Sequence, residues 1–169
     1  MLLGRITLAA CLPSIAAAFP GGAAALDSVQ SATNSLDRGL QNWNGFPLGI
    51  ISVGFQAQRL LTDIGSTATT LQRLGNRTGN DDKQIMTSAQ KALDSLDHII
   101  DTVVNSKTKF TKLPLGTAVI FGVLKTLEVA TNKMVQNGVD GASPGYRKQM
   151  EKMQDHAKGD FTRAFSAIG

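Results

Sequence analysis

Between Leu26 and Ile168 apolar residues return at steps of three and four, in five separate runs. No stretch of four or more residues alternates polar with apolar strongly enough to form a strand. This periodicity restricts the chain to an all-α fold. Leu26, Val29, Thr33, Leu36, Leu40 and Trp43 form the first stripe, which ends at Asn44-Gly45. Pro47 then stands where a second helix should begin, and Ile50, Val53, Ala57, Leu60, Ile64, Ala68 and Leu71 continue it. A loop runs from Leu74 to Asn80, and Asn80 reads as the N-cap of a third helix, with Asp81 and Asp82 in its first turn. Its stripe is Ile85, Ala89, Ala92, Leu96, Ile99 and Val103. Leu113-Pro114 opens a fourth helix through Val119, Val123, Leu127 and Met134, which Asn137-Gly138 should stop. Ser143-Pro144 opens a fifth, through Tyr146, Met150, Met153, Ala157, Phe161, Ala164 and Ile168. Short connections between long helices predict an antiparallel bundle of about five helices.

A chain of 169 residues is long enough to bury one core without disulfide or metal staples. Its formal net charge of +4 is spread over interspersed acids and bases, with no basic stripe and interleaved aromatics, so a nucleic-acid partner is not expected. Two histidines and one cysteine leave too few ligands for a zinc cluster and too few partners for a cysteine–histidine pair. His98 has Asp94, Asp97 and Asp101 around it on one helix, which reads as a solvated face, and no metal site is assigned. There is no nucleophile elbow, phosphate loop or zinc-protease motif, so an enzyme is not expected, and no cofactor is implied. Lys107, Lys109 and Lys112 form a small basic cluster, expected to complement the C-terminal dipole of the third helix.

The first residues read as a leader. After Arg5 the chain carries no charge until Asp27, and an apolar core is followed by Ala16-Ala17-Ala18, the small-residue pattern of a secretory cleavage site. Cleavage after Ala18 would remove Cys11 and leave residues 19–169 as a single helical domain without cysteine. The apolar run is too short to span a membrane, and no integral membrane segment is expected. Asn76-Arg77-Thr78 is the one N-x-[ST] sequon, in a polar loop, and Asn76 is the expected glycosylation site. No anchor signal is recognised at the C-terminus.

Two uncharged stretches are candidates for function. Residues 39–58 contain Trp43, Phe46, Leu48, Ile50, Ile51, Val53 and Phe55, and residues 113–124 contain Val119, Ile120, Phe121 and Val123. In each, apolar residues cover more than one helical face. Such a helix is buried on several sides, lines an internal cavity, or leaves an apolar patch in water. The cavity reading assigns Ile51, Phe55, Val119, Val123, Leu127 and Phe161 to a space between the second, fourth and fifth helices. Ser52, Gln56, Lys125 and Thr126 are then the nearest candidates for a ligand's polar head. The patch reading centres on Phe46 and Leu48.

The run Leu26-Asp27-Ser28-Val29 through Leu36, the segment Ala92-Leu93-Asp94-Ser95-Leu96, and the apolar Gly116-to-Leu127 helix after a short Lys-Phe-Lys loop together resemble the fungal hydrophobic surface binding protein A family. That family includes the cell-wall galactomannoproteins. The resemblance implies a secreted, non-enzymatic protein, extracellular or associated with the cell wall, that adsorbs to hydrophobic surfaces. It also implies recruitment of polyester-degrading hydrolases, or long-chain fatty acids held between helices. The chain departs from many galactomannoproteins in lacking a long Ser/Thr-rich stalk and a C-terminal anchor signal, which favours a released protein over a permanent wall component. A structural wall antigen without ligand and a small secreted hydrolase are the alternatives.

Overall fold

The computed structural model describes residues 21–169, so the expected leader at 1–18, its cleavage after Ala18, and Cys11 lie outside the described residues. Among those described there are six helices and no strand: α1 (Gly22–Asn42), α2 (Gly49–Leu74), α3 (Gly79–Asn105), the single turn α4 (Lys107–Phe110), α5 (Gly116–Asp140) and α6 (Pro144–Ile168). The five long helices follow the five apolar stripes. All six residues of the first stripe are buried, five in α1 and Trp43 at its C-cap, as are Val53, Ala57, Leu60, Ile64, Ala68 and Leu71 of α2. Burying each valine, leucine or isoleucine among them stabilises the fold by about 1.5–3 kcal/mol, before the entropy of ordering it.

Successive long helices alternate in direction, but sequence neighbours are not always neighbours in space. The ring order is α1, α2, α5, α6, α3 and back to α1. Thr67 late in α2 donates to the carbonyl of Ala25 early in α1 at 3.0 Å, which makes that pair antiparallel. Thr102 late in α3 donates to Asp37 late in α1 at 2.5 Å, so those two run parallel. Asn137 of α5 donates to the carbonyl of Ala68 of α2 at 2.8 Å, again near two C-termini. Phe121 of α5 packs on Phe165 of α6 with centroids 5.1 Å apart, an antiparallel pair. The C-termini of α1, α3 and α6 therefore meet the N-termini of α2 and α5 at one end of the bundle.

The α4 turn closes that end. Phe110 packs against Trp43 with centroids 4.9 Å apart. Lys109 donates to the carbonyl of Trp43 at 2.7 Å and Lys107 to that of Ala167 at 2.9 Å. These lysines thus satisfy carbonyls at the ends of α1 and α6, not the third helix as expected. The α3 chain turns directly into α4 at Ser106, whose backbone N–H takes up the Thr102 and Val103 carbonyls at that end. Several helix ends also differ from expectation, among them the start of α2, which lies at Gly49 and not at Pro47. The N-cap of α3 is Thr78, whose hydroxyl accepts from the Asp81 N–H while Asp81 accepts in return from the Thr78 N–H, a reciprocal box that Asn80 is too late to make. The fourth long helix continues past Asn137-Gly138 to Asp140, because the Asn137 amide is tied to α2.

That helix also starts late, at Gly116 instead of Pro114. The chain turns at Leu113–Gly116, and a Cβ on Gly116 would lie 2.1 Å from the Phe110 carbonyl oxygen, so only glycine fits there. Leu115 before it takes a left-handed φ of 57° and is 80 % exposed. A leucine in that conformation costs about 1–2 kcal/mol, and its exposure returns nothing to the core. Leu115→Gly is expected to raise stability by roughly 0.5–1 kcal/mol in urea unfolding. A loss of stability would show that the leucine side chain holds the turn.

Candidate functional site

An apolar cavity of about 490 Å³ lies at the α4 end, enclosed by all five long helices and α4. Its floor and walls come from the late turns of α1 and α3 (Leu36, Leu40, Leu96, Ile100), from Phe110, and from Phe161 of α6. The early turns of α2 and α5 supply the rest. All of the lining residues are glycine, proline or hydrophobic, so the interior offers no polar side chain to a ligand. The volume falls within the roughly 300–1,000 Å³ of small-molecule pockets.

Exposure locates the mouth. Most lining residues are buried, whereas Gly54, Pro114 and Val119 are exposed and Ile50, Leu113 and Val123 are half-buried. The cavity therefore reaches solvent between the N-terminal halves of α2 and α5. A band of exposed apolar side chains occupies these same segments: Phe46 (61 %), Leu48 (71 %), Ile51 (56 %), Phe55 (73 %), Leu115 (80 %) and Val119 (59 %). So large an apolar surface left in water marks an interaction site.

Of the expected site residues, Val119, Val123, Leu127 and Phe161 line the cavity. Ile51 and Phe55 do not; both are exposed and belong to the outer band. Helix α2 turns Ile50, Val53, Gly54 and Ala57 inward instead. None of the four candidates for a polar head reaches the interior. Ser52 and Gln56 line a separate polar groove between α1 and α2. The Thr126 hydroxyl donates to the Gly122 carbonyl at 2.9 Å, and Lys125 pairs with Glu128 at 2.6 Å while standing 5.1 Å from the Phe165 ring centroid. Sequence reasoning missed the contribution of α1 and α3, because Leu36, Leu40, Leu96 and Ile99 read as ordinary core positions, and Ile100 is not singled out at all.

The titratable groups lie elsewhere. Asp97, His156 and Asp160 place one ligand atom each within 4.8 Å of one another. Arg163 donates to Asp97 at 2.5 Å and to Asp101, which supplies the positive charge these carboxylates need. Burial and the neighbouring Asp97 push the Asp160 carboxyl above its ordinary range. His98 is exposed, 3.5 Å from Asp37.

The sequence profile of the family described as hydrophobic surface binding protein A matches residues 23–137. The chain belongs to that family. The match runs from the start of α1 into the last turns of α5 and so takes in both sides of the mouth. No curated protein matches the sequence. Among solved structures, that of Afmp4p in complex with palmitic acid superposes with a TM-score of 0.84 at 14% identity, covering 88% of this chain and 97% of the other. Ligand binding domain 1 of the Penicillium marneffei MP1 protein, complexed with arachidonic acids, gives 0.79 at 8% identity over 86% and 94% of the two chains. Ligand binding domain 2 of the same protein, complexed with multiple arachidonic acids, gives 0.79 at 10% identity over 86% and 92%. At these identities the likeness is one of fold. Neither the geometry nor these relatives point to a hydrolase partner. No helix among the described residues is long and apolar enough to cross a membrane.

Proposed function

We propose that this protein is a secreted, non-catalytic carrier that holds one long-chain fatty acid in the apolar cavity and adsorbs to hydrophobic surfaces through the band around its mouth. The observation that carries the reading is a cavity without a polar lining side chain, opening between α2 and α5 among exposed apolar residues. An amphipathic ligand suits it: the chain lies inside against Val119, Val123, Leu127 and Phe161, and the carboxylate stays at the mouth in water. Burying about fourteen methylenes contributes roughly 11 kcal/mol, from which association takes several, leaving a Kd in the micromolar range. The palmitic and arachidonic acid complexes of the structural relatives support the same ligand class. Ile51, Phe55, Phe46, Leu48 and Leu115 act outside, at the adsorbing face. The exposed, left-handed Leu115 favours that role, since it adds nothing to the core. The proposal includes export, removal of residues 1–18, residues 19–169 as one helical domain, and a glycan on the exposed Asn76 beside the buried Arg77.

The test is chemical. Organic extraction of the purified protein followed by mass spectrometry is expected to yield fatty acids in near-stoichiometric amount. The delipidated protein is expected to bind palmitate saturably. No extracted lipid and no saturable binding of any long-chain fatty acid would overturn the cavity reading and leave adsorption through the band.

A further inference from the structure

We infer that Gly54 is the threshold of the cavity, the position that sets how fast an acyl chain passes in and out between α2 and α5. The inference rests on the fatty-acid reading above. Glycine in the interior of a helix weakens it, so its presence needs a reason, and the common reasons are absent here. Gly54 lies well inside α2 and does not take a positive φ. A Cβ built on it meets nothing within 4 Å, so no neighbouring helix demands close approach. By contrast, Gly116, the other lining glycine, is required by the Phe110 carbonyl. Gly54 is exposed and lines the cavity at the same time, as Val119 of α5 does. A Cβ there enters open space, so a side chain at this position starts out at the opening and not against a neighbouring helix. The bare backbone leaves that opening free.

Gly65 and Gly122 provide internal controls, because each is helical and exposed, has open space around a built Cβ, and lies outside the cavity lining. The experiment measures stopped-flow association and dissociation of a dansyl-labelled fatty acid with delipidated protein, comparing wild type with Gly54→Phe, Gly54→Leu, Gly54→Ala, Gly65→Phe and Gly122→Phe. A side chain standing in a passage slows both directions, so the two rates in Gly54→Phe are expected to fall roughly tenfold or more, with a much smaller change in Kd. The Leu variant, a better helix former, should show the same slowing and covers the case of a phenylalanine variant that does not fold. Gly54→Ala is expected to raise Tm by about 2–4 °C with rates near wild type. The two control variants should exchange at the wild-type rate. Wild-type binding with unchanged rates in both Gly54→Phe and Gly54→Leu overturns the inference, as does equal slowing in the controls. Absence of saturable binding by the wild type overturns the fatty-acid reading itself, and this inference with it.

Discussion

Ala57→Trp is expected to abolish fatty-acid binding while leaving the protein at least as stable as the wild type. Ala57 is 7 % exposed and faces the cavity one turn beyond Gly54. An indole there would take up space that the folded chain leaves empty, gaining contacts for lining atoms that now have none on one side. The same volume is then lost to the acyl chain, and affinity for palmitate should fall at least about 100-fold, some 2.7 kcal/mol. If instead the α4 end were a tightly packed core, the added ring would overpack it and cost roughly 1–3 kcal/mol. Thermal melting and palmitate titration on one preparation separate the two accounts. A clear drop in Tm with unchanged binding would place the ligand elsewhere. Phe55→Ala is the companion variant, since Phe55 is 73 % exposed and outside the lining. It should retain palmitate affinity in solution and lose adsorption to an apolar surface.

Arg77→Met is expected to be the most destabilising single change at the opposite end of the bundle, by about 3–5 kcal/mol at neutral pH. The Arg77 and Asp82 side chains are 2% and 0% exposed, with Nε and Oδ1 2.8 Å apart. Around this pair three segments meet. Arg77 also donates to the carbonyl of Gly138 in α5, its backbone N–H donates to Gly141 at 3.1 Å, and Asp82 accepts the backbone N–H of Ser143 at 2.7 Å. Gly141 is held so close that a Cβ there would lie 2.4 Å from the Gly75 carbonyl oxygen. Removing the guanidinium leaves a buried carboxylate without its counter-ion.

The pH dependence gives a second check. Burial pushes the Asp82 carboxyl up, but the hydrogen bonds from Ser143 and Arg77 outweigh it and hold the group below its ordinary range. A depressed folded-state pKa stabilises above the unfolded value of about 3.9, and the contribution is lost as pH falls through the lower, folded value. In Arg77→Met the carboxyl should move the other way, so the variant loses stability as pH rises. The deficit relative to wild type is therefore expected to be largest at neutral pH and to shrink in acid. Urea unfolding across that range measures it. Adding Asp82→Leu should recover most of the loss, because no charge then remains to be buried. A deficit below about 1 kcal/mol that does not vary with pH would show that the pair adds little.

Five helices, their approximate ends and their buried faces were legible wherever polar residues alternate with apolar ones at helical spacing. In α1 and α3 the charged side fixes the phase of the stripe, so Val29, Leu36, Ile85 and Leu96 could be assigned to the core from spacing alone. The early turns of α2 and α5 carry no such information. Over residues 39–58 and 113–124 the absence of charge allows several inward faces, and only packing against the other helices selects one. That packing puts Ile50, Val53 and Gly54 inside and Ile51 and Phe55 outside, and it buries Ile120 while exposing Val119. It also brings α1 beside α3, and Asp82 beside Arg77 and Ser143, pairings that depend on ring order and loop geometry rather than on any local pattern. The sequence by itself determined a helical chain with too much apolar surface at two helix starts. Only the tertiary structure decided that this surface divides into the wall of a cavity and a band around its mouth, because side-chain periodicity records what a helix buries and not the empty space its neighbours leave.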